Sequence, residues 1–430
     1  MLESLIGLAA LFGLLLLGIP LGFAMVVVGF VGYGLLRSWP AAMAMVNQQI
    51  LDIGMGFGLS VLPLFILMGV FVARSGLADD LYECCNRWMG HFRGGLSMAT
   101  VVSCGGFAAV SGSSLATVAT MAKVAIPSMR RYKYADSFAA GTVAAGGTLG
   151  MLIPPSTALI VYGILTETDI AQLFAGGILP GLLTIVLYVA VVKAVNVFAP
   201  HWGPEGPRAD WPARFRALSR IGGVLLLFAL IMGGIFVGVF TPSEAGAVGA
   251  AGALLFAMVR GKMTWSVLIS SLIEAVRITA LIFIVLFGSL ILNQFVNVAG
   301  LPRAMASMIL DWQFSVTVTL LIIIVMFLIL GTVIDGLAIL FLTAPIFVPI
   351  IAALGLDLVW FGVFMIMLIE VSLITPPLGL NLFVLKSMLP DVPLTQIYKG
   401  ILPFFAADVV RVVLVAMIPG IVLWLPNLIF

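Results

Sequence analysis

The sequence predicts an all-α, polytopic membrane protein built as two inverted repeats, each of about five transmembrane crossings with one helical hairpin and one broken helix. Four observations lead there. Of 430 residues, 63% are hydrophobic and only 9% are charged. Many stretches reach the roughly 17–25 apolar residues that cross a bilayer core. One pattern is used twice at a spacing of 222 residues: Pro20 with Pro242, Pro127 with Pro349, Pro154 with Pro376, and Asp169 with Asp391. Finally, the basic residues segregate to one side of the chain's path through the membrane.

The repeat extends beyond prolines. Ile153-Pro154-Pro155 matches Thr375-Pro376-Pro377, Ile178-Leu179-Pro180 returns as Ile401-Leu402-Pro403, and Trp88 returns as Trp312. Duplication in a very apolar chain is how many secondary transporters are built, with a site of broken helices between the halves.

Orientation follows from charge, because Lys and Arg favour the cytoplasmic side. With Arg130, Arg131 and Lys133 inside, the span near 135–165 exits at Thr166-Glu167-Thr168-Asp169, which is acidic and fits the outside. Residues 174–197 return, placing Arg208, Arg214, Arg216 and Arg220 in a cytoplasmic loop over 201–220. Arg260 and Lys262 also fall inside, and a short amphipathic stretch over 265–277 is expected along the inner surface before a span at 278–296. Only Arg37 and Arg303 fall outside, and Arg411 within a span; 304–385 holds no Lys or Arg. The second half is therefore inverted.

The first repeat spans 1–220, with a hairpin at about 94–131 and a broken helix at about 135–165. The second spans 221–430, with a hairpin at about 314–350 and a broken helix at about 358–387. Charge does not decide whether a hairpin crosses fully or turns back. The N-terminus reads as two short crossings before Arg37, or as one long helix bent at Pro20.

The hairpin tips carry the first candidate chemistry. Ser111-Gly112-Ser113-Ser114 is a small polar cluster in an apolar run, and Gly331-Thr332-Val333-Ile334-Asp335-Gly336 is its partner. Carbonyls and hydroxyls freed where a helix unwinds suit a hard cation such as Na⁺, and half-helix N-termini suit an anion. Small residues also serve close helix packing, which remains an equal reading for 111–114. Asp335 is the only charge between Phe314 and Pro349. An acid there costs roughly 2.5–3.5 kcal/mol on insertion scales. It could ligate a cation, carry a proton or cap a helix. The two Pro-Pro steps end helices, since each proline lacks an N–H and clashes with the preceding turn. Thr375, Gly379 and Asn381 offer ligands beside the second step.

Other charges read as structural. Asp408 and Arg411 lie three apart and would face each other on a helix. Glu370 precedes the second break and is expected to help tune the site. Thr241-Pro242-Ser243-Glu244 reads as a capped helix start. Cys84, Cys85 and Cys104 have no metal or disulfide spacing. The net charge of +2 singles out no partner, and no nucleic acid or organic cofactor is expected. The chain has no Walker loop, and no catalytic constellation supports an intramembrane enzyme.

Together, Ser111-Gly112-Ser113-Ser114-Leu115-Ala116-Thr117, Gly150-Met151-Leu152-Ile153-Pro154-Pro155-Ser156, Thr241-Pro242-Ser243-Glu244-Ala245 and Thr375-Pro376-Pro377-Leu378-Gly379 resemble the large membrane (M, DctM-type) subunit of TRAP transporters, across essentially the whole chain. The resemblance implies an elevator-type, Na⁺-coupled importer of organic acids such as sialic acid or dicarboxylates, in the bacterial inner membrane. It implies two partners: a small four-helix membrane subunit (Q), here expected as a separate polypeptide, and a periplasmic substrate-binding protein (P). Hairpins and broken helices would form the moving core and the other helices a scaffold. Carried over, one Na⁺ site would use Ser111, Ser113 and Ser114 with the Gly150–Pro155 break, Gly150 and Pro154 among its ligands. A second would use Thr332, Asp335, Thr375 and Gly379, with Ser156, Thr157 and Asn381 facing substrate. A stand-alone divalent-anion/Na⁺ symporter of similar architecture is the alternative, and a channel would differ from either by steady conduction.

Overall fold

A computed structural model describes residues 2–311, 315–332, 334–376 and 379–430. Trp312 and the Pro377-Leu378 pair therefore lie outside the described residues. Every regular element among the described residues is helical.

The N-terminus forms two helices, α1 (Leu2–Leu16) and α2 (Leu21–Leu36). Gly18 adopts φ +81°, and the amides of Ile19 and Gly18 bond back to the carbonyls of Leu14 and Leu15. This glycine-closed end turns the chain, and α1 packs back on α2. The two-helix reading of the N-terminus therefore holds over the single bent helix. Next come α3 (Trp39–Met55) and α4 (Val61–Arg74), joined through Gly56 and a 3₁₀ turn and bent by 64°. The short α5 (Leu77–Met89) buries Leu77, Ala78, Leu81 and Tyr82 and turns Asp79 and Asp80 away from them.

A hairpin follows, α6 (Gly95–Ser111) and α7 (Ser114–Arg131), then α8 (Asp136–Thr148), a 3₁₀ turn at Leu149–Met151, and α9 (Thr157–Thr166). The long α10 (Ile170–Phe198) closes this half.

The second half opens with α11 (Trp211–Phe236), and here two expectations change. The polar stretch 201–220 is only partly a loop, because Arg214, Arg216 and Arg220 sit in α11. Pro212 lies in its first turn, where the missing N–H costs nothing. Arg214 is buried, its guanidinium 5.8 Å from the Trp88 ring centroid and 5.1 Å from that of Trp211. After α12 (Pro242–Val259), α13 (Trp265–Val298) runs unbroken for 34 residues. The stretch 265–277 is thus the first part of one long helix rather than a separate surface element. No proline interrupts it, and Arg277 is tolerated on its exposed side.

The remaining helices are α14 (Leu301–Asp311), α15 (Val316–Gly331), α16 (Gly336–Ala353), α17 (Leu358–Leu373), α18 (Leu380–Met388), α19 (Leu394–Met417) and α20 (Gly420–Ile429). Among the described residues, six helices are individually long and apolar enough to cross a membrane, and the bent α3–α4 pair makes a seventh candidate. Several remaining apolar helices are shorter because chain breaks divide them, notably α8/α9 and α17/α18.

Helices meet reciprocally between the halves. α2 packs on α13 as α12 packs on α4, and α9 packs on α16 as α18 packs on α7. Association in lipid depends on close packing rather than on expelling water. At the α2–α13 crossing, a Cβ on Gly29 would sit 2.7 Å from the Leu292 nitrogen, so only glycine permits that approach. Leu226, Leu255 and Val276 on α11, α12 and α13 remain exposed, as suits a lipid-facing surface.

Candidate functional site

The first hairpin tip and the first helix break press directly on each other. Gly112 ends α6 with φ +61°, a conformation glycine adopts without strain. Its carbonyl accepts from Thr157 Oγ1 at 2.7 Å and from the Thr157 amide at 3.4 Å. Ser113 caps α7 by accepting from the Ala116 amide. Thr117 Oγ1 lies 2.9 Å from Ser111 Oγ and donates to the Ser113 carbonyl at 2.8 Å. Gly150 lies so close that a Cβ there would be 2.5 Å from the Ser113 oxygen.

The proline pair determines what the break exposes. In a continuing helix, residue 154 would donate to the carbonyl of residue 150, and residue 155 to that of 151. Neither proline has an N–H to give. Ser156 Oγ replaces one donor by bonding to the Met151 carbonyl, and it also caps α9 by accepting from the Leu159 amide at 3.3 Å. The carbonyls of Gly150, Leu152, Ile153, Pro154 and Pro155 receive no hydrogen bond among the described residues. Four of these five residues are buried. Buried oxygens without donors normally find a partner, in water or an ion.

The second tip and break are arranged differently. Thr332 Oγ1 donates to the Ile329 carbonyl at 2.7 Å, and Thr375 Oγ1 to that of Val371 at 2.6 Å. Asp335 caps α16, accepting from the amides of Leu337 at 3.2 Å and Ala338 at 3.3 Å. Each of these side chains thus turns into its own helix, and Thr332 makes no hydrogen bond to Thr375 among the described residues. Gly379 takes φ +54° at the start of α18 and lies against the carbonyls of Leu373 and Thr375. Gly331 packs tightly on Ser372.

Each tip also meets the opposite break. Ser114 Oγ donates to Asn381 Oδ1 at 3.2 Å, and Asn381 Nδ2 lies 2.8 Å from Ser114 Oγ, with both residues buried. Reciprocally, a Cβ on Gly336 would meet the Met151 methyl at 3.1 Å. The two tips and two breaks therefore form one central contact region. Thr117, Met151 and Ser372 belong to it and were missed. Thr117 could have been found, because it lies four residues after Ser113 on the same helix face; Met151 and Ser372 had no comparable signal.

The other intramembrane charges form a separate cluster. Arg411 pairs with Glu370 at 2.9 Å and Asp408 at 3.1 Å, and donates to Thr184 at 2.8 Å. Tyr188 donates to Asp408 at 2.7 Å. All five side chains are fully buried, joining α10, α17 and α19. Asp408–Arg411 is the expected ion pair. Glu370, expected to tune the site, instead faces Arg411. No group of three or more His, Cys, Asp or Glu residues that could hold a metal occurs among the described residues.

Hairpin tips and broken helices meeting inside an apolar helical bundle are the build of a secondary-transport permease. The chain belongs to the family described as "Tripartite ATP-independent periplasmic transporter, DctM component", whose sequence model matches residues 8–421. It is accordingly a multi-pass TRAP transporter large permease, a transporter rather than an enzyme. It is 37% identical to a C4-dicarboxylate TRAP transporter large permease protein of Pseudomonas aeruginosa, over 86% of each chain. It is 34% identical to a sialic acid TRAP transporter large permease protein of Vibrio cholerae, over 97% of this chain and 96% of that one. An ectoine TRAP transporter large permease protein of Halomonas elongata is 30% identical over 98% of each. The fold is similar to the crystal structure of the Alcanivorax borkumensis YdaH transporter, described as having an unusual topology. That match has a TM-score of 0.60 and 16% identity, covering 86% of this chain and 87% of that one.

Proposed function

We propose that this permease imports an organic acid across the bacterial inner membrane, driven by Na⁺, with substrate delivered by a periplasmic binding protein and with a small four-helix membrane subunit as partner. The observation that carries the reading is the set of donor-free carbonyls at Gly150 and at Leu152 to Pro155, interrupted only by the bonded Met151 carbonyl and held against the Ser111–Ser114 tip. Oxygens without donors suit a hard cation, and a monovalent one needs no carboxylate cluster. Ser111, Ser113 and Ser114 add hydroxyls beside Gly150 and Pro154. A second Na⁺ sits at the other tip and break, where Thr332, Asp335, Thr375 and Gly379 keep lone pairs beyond those used within their helices.

The substrate's acid group meets the N-termini of α9 and α18, where Ser156, Thr157 and Asn381 lie, because those helix ends favour an anion. The two inverted hairpins and broken helices move as one body against the remaining helices, in an elevator cycle. Dicarboxylates and sialic acid are the substrates to try first, given the names of the relatives.

The test is uptake by proteoliposomes holding the permease and its small subunit, with purified binding protein added outside. Radiolabelled substrate should accumulate only with an inward Na⁺ gradient and only with the binding protein. Uptake by the permease alone would favour the stand-alone symporter instead.

A further inference from the structure

A cavity of about 770 Å³ lies between the α3–α4 bend, the α9–α10 connection and the middle of α13. On the charge-derived topology it belongs to the outer face. Three carboxylates line it, those of Asp52, Glu167 and Asp169, and no Lys, Arg or His does. Leu286 and Leu290 give it an apolar wall. Gln49 also lines it. That residue is 9% exposed, and its carboxamide makes no hydrogen bond among the described residues. An amide on a residue this enclosed, opening into a cavity without a protein partner, takes its hydrogen bonds from whatever polar species occupies the space.

The repeat makes the charge informative. Asp391, the repeat mate of Asp169, pairs with Arg130 at 2.6 Å. Glu274, in the first part of α13 that corresponds to α3, pairs with Arg74 at 2.5 Å. Thus these two acids of the second half are neutralised by arginine, whereas the cavity acids have no basic partner among the described residues. Asp52 accepts only from the Gln48 side chain at 2.9 Å, and Asp169 accepts the Ala171 amide at 2.7 Å as the cap of α10. Neither contact removes charge. The C-terminal end of α9 also faces the cavity and adds partial negative charge.

A cleft of one sign with low-dielectric walls focuses the field and concentrates counter-ions. We infer that this cavity is a cation vestibule, gathering Na⁺ at the outer face before it reaches the break at the other end of α9. The ten residues of α9 separate the two places by about 15 Å. The inference rests on the Na⁺-coupled reading above.

The field can be measured without transport. Gly58 lines the cavity, and a side chain there meets nothing within 4 Å. A Gly58→Cys variant, with Cys84→Ala, Cys85→Ala and Cys104→Ala, is labelled from outside with cationic and anionic methanethiosulfonates. The cationic reagent should react at least about tenfold faster relative to a free thiol. Adding Asp52→Asn and Glu167→Gln should bring that ratio down toward one. A ratio near one in the parent variant would overturn the vestibule.

The second arm measures Na⁺ half-saturation of uptake by the reconstituted complex at constant ionic strength. Asp52→Asn/Glu167→Gln should raise it about three- to tenfold and leave the rate at saturating Na⁺ unchanged. Strong charge selectivity with unaltered half-saturation would overturn the Na⁺ role. Uptake by the unaltered protein that ignores Na⁺ would be a separate result, overturning the coupling itself.

Discussion

Gly150→Ala probes the contact between tip and break most sharply. The added methyl would lie 2.5 Å from the Ser113 oxygen, 2.6 Å from its carbonyl carbon and 2.8 Å from Thr117 Oγ1. Ordinary contact begins at 3.4 Å, so the tip must retreat by roughly 1 Å. The near atoms are mainly backbone and cannot swing aside. Forcing a methyl into such a site typically costs about 1–3 kcal/mol. If that strain is relieved only when tip and break separate, it weakens cation binding by roughly 5- to 150-fold. The assay is Na⁺ half-saturation of uptake in proteoliposomes, with thermal unfolding in detergent measured alongside. Gly222→Ala, whose methyl meets nothing within 4 Å, is the matched control and should behave as the unaltered protein. Gly150→Ala with normal half-saturation and normal uptake would refute the reasoning.

Three further substitutions separate capping, bridging and charge. Ser156→Ala removes both the α9 cap and the bond to the Met151 carbonyl, and should lower stability by about 1–2 kcal/mol in thermal unfolding. Ser114→Ala and Asn381→Ala should each reduce uptake, and a double-mutant cycle on thermal stability should show coupling of at least about 0.5 kcal/mol, since the two side chains contact each other directly. Arg411→Met leaves Glu370 and Asp408 buried without their cation and should cost about 3–5 kcal/mol. Adding Glu370→Gln and Asp408→Asn to it should restore much of that loss in the same unfolding measurement.

Local chemistry was readable where the responsible residues adjoin one another. Thr241 and Glu244 form a reciprocal capping box, with the Glu244 amide bonded to Thr241 Oγ1 at 3.3 Å and the Thr241 amide to Glu244 Oε2 at 2.8 Å. Asp408 and Arg411 pair across one helical turn, as their spacing implies. Charge density misled elsewhere. The arginines of 214–220 suggested a loop, although Asp210, Trp211 and Pro212 form an ordinary helix start. The amphipathic pattern of 265–277 likewise set it apart from the helix it begins.

Contacts between distant residues left no local trace. Glu370 and Arg411 are 41 positions apart, and Ser114 and Asn381 are 267 apart. Nothing in either neighbourhood marks the partner. The sequence also indicated Thr332, Asp335 and Thr375 as groups able to bind, without revealing that each bonds inside its own helix. Side-chain direction there depends on the geometry of the helix end, which residue type alone does not set.

The most direct measurement is Na⁺-dependent substrate uptake by the permease reconstituted with its small subunit and supplied with its binding protein. Accumulation should rise saturably with external Na⁺, cease when choline replaces it, and stop when the binding protein is left out. Equal uptake in Na⁺ and choline would contradict cation coupling at the hairpin tips and helix breaks.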